Sequence, residues 1–351
     1  MADSRIPEID TAKGIGILLV VFTHIYTFEP FHNIVFSFHM PLFFLMSGLL
    51  FTPEHYRTFG IFMKRKFTAL IRPYLFFAFL SILWKIIDCI FAHYPIKDIL
   101  HNCAVDIFYV LFAPSKMAVN RALWFVPCLF VMETLFFFII KIYKKGHTVC
   151  FFSVIALIVV LGWIMGTQPI RQYSGYLPWN ITTVCFAMSF FVTGYFCKSF
   201  IKEFFDGTVS RKNKIITYCI IVILFLISIP VAIKNAPVSL GDRKFGNGFL
   251  LYYTGLSGSA FVFLLASILY KNSFIRYCGQ NSFTIMAVHL PVYFALSLVW
   301  SVINSHFIAK IVTYNYSFIW QCISFIATMV GSICFSAIYN NFKYKLKKEG
   351  K

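Results

Sequence analysis

Apolar runs of about 18 to 24 residues alternate along the chain with short polar stretches, most of them basic. Wound as an α-helix rising about 1.5 Å per residue, a run of that length covers the roughly 30 Å of a bilayer's hydrocarbon. Ten such runs can be placed, at 11–28, 34–52, 72–92, 121–142, 148–166, 181–199, 214–233, 248–270, 282–305 and 317–340. A further stretch, Cys103 to Ala113, is too short to cross and carries Asp106, so it is expected to be re-entrant or interfacial. The pattern predicts an all-α, polytopic integral membrane helix bundle of about ten transmembrane helices. No repeat or soluble insertion interrupts it, and residues 1–351 read as one membrane domain.

Composition agrees with lipid as the solvent. With 59% hydrophobic residues, 13% charged residues and a mean hydropathy of +0.77, a water-soluble chain of this size would be unable to cover its apolar surface. Its 44 phenylalanines and 19 tyrosines suit both hydrocarbon packing and headgroup anchoring. A net charge of +18 would suggest nucleic acid in a soluble protein, but here the basic residues fall between the apolar runs. The anionic lipid leaflet and the positive-inside rule account for them, so lipids and not nucleic acid are the expected partners. With the N-terminus in the cytoplasm, inner segments hold 21 Lys and Arg residues and outer segments 8, which predicts N-in and C-in. Ten cysteines lie scattered without a CxxC pair. Neither a disulfide framework nor a metal site is expected, and the thiols read as buried. The start, Met1 to Asp10, is polar and acidic rather than basic, and the apolar run after it has no small-residue cleavage signature, so the first run reads as a retained span. No feature of the sequence sets an oligomeric state.

Ionisable groups inside spans cost about 2.5 to 3.5 kcal/mol each on insertion scales, so each calls for a partner or a function. Lys13 and His24 stand eleven residues apart on the first span, about three helical turns, with Asp10 three residues before Lys13. All three share one face, with His24 about 16 Å further across the bilayer. Gly14 and Gly16 would let a neighbouring helix come close. A structural reading stands beside this one: Lys13 snorkels, Asp10 flanks the helix, and His24 makes an interhelical hydrogen bond. His39 and Ser47 sit around Pro41 on the second span, where a bend and a small polar notch are expected. Lys85 and Asp88, at i and i+3, are positioned to neutralise one another. Glu133 has no partner nearby in sequence. His289, before Pro291, supplies another intramembrane imidazole, and histidines on several helices favour a shared polar cavity. Arg65, Lys66 and Arg72 place cations near the inner mouth of the bundle, for lipid headgroups or for a phosphorylated donor.

The segments Ile9-Asp10-Thr11-Ala12-Lys13-Gly14-Ile15-Gly16-Ile17 with His24, and Phe38-His39-Met40-Pro41-Leu42-Phe43-Phe44-Leu45-Met46-Ser47-Gly48, resemble the membrane-bound acyltransferase family 3, with the fucose 4-O-acetylase-like branch closest. Arg72-Pro73-Tyr74, Leu123-Trp124-Phe125 and Gly279-Gln280-Asn281-Ser282 through His289 follow in the same order along nearly the whole chain. The resemblance implies an O-acetyltransferase of the bacterial inner membrane. Its donor would be cytoplasmic acetyl-CoA, and its acceptor a hydroxyl of a cell-surface carbohydrate: a polysaccharide unit, O-antigen or lipid-linked sugar. It implies His24 and Lys13 as the catalytic pair, with lysine where many relatives have arginine, so that charge is kept but the bidentate fork is lost.

The chemistry of the residues is compatible. Acyl transfer to an alcohol needs a base and a group for developing negative charge, in a site sheltered from water. His24 would supply the base, or act as a nucleophile. Lys13, Ser47 or Asn281 would give electrostatic support, and Asp10 would hold Lys13. Arg65, Lys66 and Arg72 would receive the donor's phosphates, and His39 or His289 would relay a proton or touch the acceptor. Two other classes also use intramembrane ionisable residues: a secondary transporter exporting a polysaccharide unit, which would run without acetyl-CoA, and a non-catalytic scaffold or sensor, which would tolerate His24→Ala.

Overall fold

The computed structural model describes residues 6–26, 28–118, 120–174, 177–205, 210–307 and 318–349. Arg5, Lys310 and Lys351, counted above among the loop charges, lie outside them. The described residues form α-helices joined by short turns, and their one pair of bridged residues, Ser239 with Lys244, belongs to no strand. The helices are α1 (Pro7–Ile25), α2 (Glu29–Leu49), α3 (Phe59–Lys66), α4 (Arg72–Phe91), α5 (Ile96–Phe112), α6 (Phe125–Lys144), α7 (Thr148–Gly166) and α8 (Ile170–Ser174). They continue with α9 (Ile181–Phe196), α10 (Lys198–Phe205), α11 (Arg211–Lys234), α12 (Gly248–Leu269), α13 (Ser273–Gln280), α14 (Ser282–Phe307) and α15 (Phe318–Glu349).

Among the described residues, seven helical stretches are long and apolar enough to cross a membrane, or nine if each of two bent pairs forms one span. The bent pairs are the helical segment Pro178–Phe196 with α10, at 50°, and α13 with the first part of α14, at 84°. These nine fall on nine of the ten expected runs; the tenth, 11–28, is α1, which carries Glu8, Asp10 and Lys13 and is not among them. The outward faces agree with a lipid solvent. Along α11 only Ser228 and Ala232 are buried, while Ile216, Ile220, Ile223 and Ile227 point outward from a helix of mean hydropathy 2.8. In water such a surface would drive association; in hydrocarbon it is neutral. The protein is therefore an all-α, multi-pass membrane helix bundle.

α1 lies at the centre, packed against α2, α12, α13, α14 and α15. Its crossing with α13 needs two glycines. A Cβ on Gly14 would overlap the carbonyl of Ile275, and one on Gly279 would overlap the carbonyl of Asp10. α2 and α9 cross the same way, with Gly48 against Phe191 and Gly194 against Leu45. A large aromatic core built on Phe44, Phe136, Phe186, Phe190 and Phe191 fills the space between α2, α6, α7 and α9.

Several local expectations change. Lys85 does not pair with Asp88; its Nζ lies 2.6 Å from Asp106 Oδ2 on α5. Asp106 is 4% exposed, so a buried carboxylate on the neighbouring helix takes the cation in preference to the less buried Asp88. The stretch expected to be short there is a 17-residue helix, α5, starting at Ile96. Glu133, with no partner nearby in sequence, pairs at 2.9 Å with Lys66, 67 positions away. All ten cysteines are free thiols, but Cys150, Cys219 and Cys334 are exposed on the outer surface of the bundle and not buried in its core. The basic segment before Arg72 is helical, because α3 runs into α4 through a π-helical turn at Phe67–Ile71. Pro73 lacks the N–H that would bond one turn back, which loosens that turn.

Candidate active site

A cavity of about 440 Å³ runs through the bundle beside α1. Lys13, Ser47, Leu50, Leu70 and Ser282 line one end; His24, Phe36, His39 and Met286 line the middle region; Ser115, Arg121, Ser239 and Asp242 line the other end. Most of the remaining lining is apolar, including Ile17, Val20, Phe43, Phe125, Leu129 and Leu290. That volume suits a small molecule within the range of about 300–1,000 Å³ typical of ligand sites.

The histidines share a feature set by helix geometry. His24 Nδ1 lies 2.7 Å from the Val20 carbonyl and His39 Nδ1 2.8 Å from the Val35 carbonyl, each one turn back on its own helix. His289 Nδ1 lies 2.8 Å from Met286 O and 3.2 Å from Ile285 O. A carbonyl only accepts, so Nδ1 carries the proton in each case, and the neutral ring presents Nε2 as a lone pair. His24 thus offers Nε2 as a base. The His289 ring lies 5.1 Å from that of His24, edge to face. His289 is 1% exposed, and its Nε2 has no hydrogen-bond partner. His39 connects through Phe36, whose ring is 4.7 Å from His39 and 6.2 Å from His24. Three histidines from α1, α2 and α14 therefore converge on one region.

Other candidates distribute unevenly. Lys13 and Ser47 line the cavity, with the Ser47 hydroxyl donating to Phe43 O at 2.8 Å. Asp10 lies at the α1–α13 crossing and accepts from Gln280 Nε2 at 3.1 Å. Asn281 sits at the bend between α13 and α14, 9% exposed, donating to Tyr277 O at 2.9 Å and accepting from Asn340 Nδ2 at 2.6 Å. Its amide is thus used to fasten α15. Lys66 is engaged with Glu133, and its Nζ lies 5.3 Å from the centre of the Phe51 ring. Arg65 and Arg72 are exposed, Arg65 over the Tyr56 ring at 5.8 Å. None of the three lines the cavity; Leu70, between them in sequence, does.

The Arg121 end was not anticipated from the sequence. The segment Asn235–Asn247 folds into the bundle, its ends joined by Asn247 N–H donating to Asn235 Oδ1 at 2.7 Å. Its tip is fastened by Thr183 Oγ1 donating to Leu240 O at 2.7 Å and Asn180 Nδ2 donating to Gly241 O at 2.9 Å. Arg121 closes the same end by donating to Ser115 O at 3.1 Å and to Asp242 Oδ1 at 2.7 Å. Asn120, fully buried, anchors Arg121's backbone by donating to Ser81 Oγ at 3.0 Å and Ala287 O at 2.7 Å. The available signal was Asp242 itself, the lone acid in a stretch holding Lys234, Arg243 and Lys244.

Two of the imidazoles, His24 and His39, line the internal cavity, and His289 stands directly behind His24, so a membrane bundle here holds groups able to accept a proton beside a space for a small ligand. Residues 6–337 match the acyltransferase family 3 model, described as an acyltransferase domain, so the chain belongs to that family and is a membrane acyltransferase. No curated protein and no solved structure is significantly similar to it.

Proposed function

We propose that the protein transfers an acetyl group from cytoplasmic acetyl-CoA to a hydroxyl of a cell-surface carbohydrate in the bacterial inner membrane, as in the fucose 4-O-acetylase-like branch it resembles. The observation that carries this reading is His24, which presents Nε2 in a cavity whose two ends bear Lys13 and Arg121. With the N-terminus in the cytoplasm, the Lys13 end receives the donor and the Arg121 end the acceptor.

Lys13 and His24 are separated by eleven residues of continuous helix, about 16 Å along the axis. That separation favours different tasks for the two. Lys13 at the mouth holds the polar part of the donor, aided from outside the cavity by Arg65 and Arg72. When bound, acetyl-CoA supplies an activated acetyl thioester, and the cavity admits only its narrow acyl-bearing arm. His24 Nε2 takes the proton of the acceptor hydroxyl as its oxygen bonds to the acetyl carbon. It then returns that proton to the departing thiolate, so the base is regenerated. The Val20 carbonyl fixes the His24 ring through Nδ1, and His289, edge to face with it, stabilises the charged imidazole. The apolar lining keeps water from competing with the sugar hydroxyl.

Membranes carrying the protein, supplied with labelled acetyl-CoA, are expected to incorporate label into surface glycolipid or polysaccharide. His24→Ala is expected to lower incorporation at least 100-fold while inserting normally, the usual range for loss of a general base. Undiminished transfer by the variant removes His24 from the mechanism; carbohydrate flux without acetyl-CoA replaces the reading with transport.

A further inference from the structure

The Arg121 end of the cavity carries more positive charge than a passage for a neutral sugar needs. Arg121 is oriented by two hydrogen bonds, Nε to Ser115 O at 3.1 Å and an Nη to Asp242 Oδ1 at 2.7 Å, and both Arg121 and Asp242 line the cavity. Asp242 is held in turn by Ser239, whose hydroxyl donates to Oδ2 at 3.0 Å and accepts from the Asp242 N–H at 3.3 Å. A second arginine, Arg243, follows directly, with its Nε buried and without a partner. Burial disfavours the charge of Arg243; Asp242 offsets this, and the nearby Arg171 adds to it. Asp242 therefore pairs with Arg121 and also offsets the charge of Arg243, while Arg171 adds a third guanidinium near by.

We propose that this mouth is a subsite for an oxyanion carried by the acceptor sugar, a carboxylate or phosphate, which Arg121 grips and for which Asp242 stands in while the site awaits its ligand. The inference rests on the acyl-acceptor reading of the cavity and narrows it to acidic carbohydrates. A guanidinium fork matches either group with paired hydrogen bonds. Exchange of partner costs little, because the Arg121 and Asp242 side chains are 58% and 40% exposed and exposed pairs contribute little to stability. Membrane topology does not call for these arginines either, since the charge bias assigns this face to the outside, where basic residues are depleted.

The test measures binding of fluorescent trigalacturonate to the full chain purified in neutral detergent, without acetyl-CoA. Its methyl ester serves as the neutral control and inorganic pyrophosphate as a competitor. Trigalacturonate is expected to bind at least tenfold more tightly than the ester. Arg121→Gln should weaken it at least tenfold, and Asp242→Asn should tighten it, opposite changes that misfolding would not produce. Trigalacturonate that resists excess pyrophosphate identifies an acidic sugar as the ligand; displacement identifies a phosphate, as on a lipid-linked carrier. Equal binding of acid and ester, no response to either substitution, or no binding of trigalacturonate or pyrophosphate overturns the proposal. Labelled acetyl transfer, scored separately, can fail while this binding holds. Arg121→Gln that keeps full transfer to its acceptor sinks the subsite and leaves the acetyltransferase reading standing.

Discussion

Replacing Lys66 by methionine asks whether its charge serves the fold or the donor. Its Nζ lies 2.9 Å from Glu133 Oε1, with side chains 17% and 7% exposed, and Glu133 Oε2 is buried without a partner. At that distance and an effective dielectric of about 20, the attraction is roughly 6 kcal/mol. Desolvation of both groups offsets most of it, so an apolar pair of similar volume is expected to be nearly neutral, whereas stranding one charge costs about 3–5 kcal/mol. Lys66→Met leaves the carboxylate alone between α3 and α6 and should be the most harmful change. Glu133→Leu should be milder, because the stranded ammonium keeps the faces of Phe51 and Tyr56, at 5.3 and 6.0 Å. The double variant should recover most of the loss. Thermal unfolding of the four proteins in detergent measures the coupling, expected to exceed about 2 kcal/mol. Losses that simply add, or a Lys66→Met protein as stable as wild type, refute the reasoning. The same set separates the two roles of Lys66: a stable double variant with normal acetyl transfer makes the lysine structural, and a stable but inactive one assigns its ammonium to the donor.

Gly279→Ala puts a methyl group into the carbonyl of Asp10 and must push α13 from α1, so the yield of folded protein in detergent should fall sharply, while Gly60→Ala, with open space around its Cβ, should leave it unchanged. Partial burial pushes the Glu54 carboxyl up, but the hydrogen bond and charge of Lys144 outweigh it and hold the carboxyl below its ordinary value. Because the folded form then binds its proton less readily than the unfolded chain, this contact stabilises above the ordinary carboxylate pKa and is lost as pH falls through the depressed one. Glu54→Gln should cost less than about 1 kcal/mol near neutrality, as both side chains are largely exposed, and should blunt the loss of thermal stability between about pH 5 and 3.

The architecture was readable where hydrophobicity is a local property of the chain. Residues 148–166 match α7 end to end, and the expected run at 248–270 differs from α12 by one residue. Ion pairing was not readable, because the partners are distant: Lys66 finds Glu133 across 67 positions and Lys85 finds Asp106 across 21. Nothing local distinguishes those acids from Asp88, which lies three residues from Lys85 and is left aside. The candidate site was half visible. Lys13, His24, His39 and Ser47 announce themselves as polar groups in apolar runs and do line the cavity. Arg121 stands at the very start of a span and Asp242 in a loop, places where charge is ordinary, and only the inward fold of Asn235–Asn247 brings them together.

The crossing of α1 with α13 ties these parts into one device. Gly14 and Gly279 let the two helices touch backbone to backbone, and Gln280 donates to Asp10 at the same point. One residue later the chain turns by 84° into α14, with Asn281 at the bend fastened to Asn340 of α15. From that fixed corner α14 rises about two turns to His289 while α1 rises about three turns from Lys13 to His24, and the two rings meet 5.1 Å apart. Neither imidazole hydrogen bonds the other through Nδ1, since both spend that nitrogen on their own helix. Their relative placement therefore depends on backbone packing at the corner and not on a contact between the rings. A small residue some 15 Å from His24 thereby governs the geometry of the base, which is why the glycines, and not only the histidines, belong to the chemistry of this site.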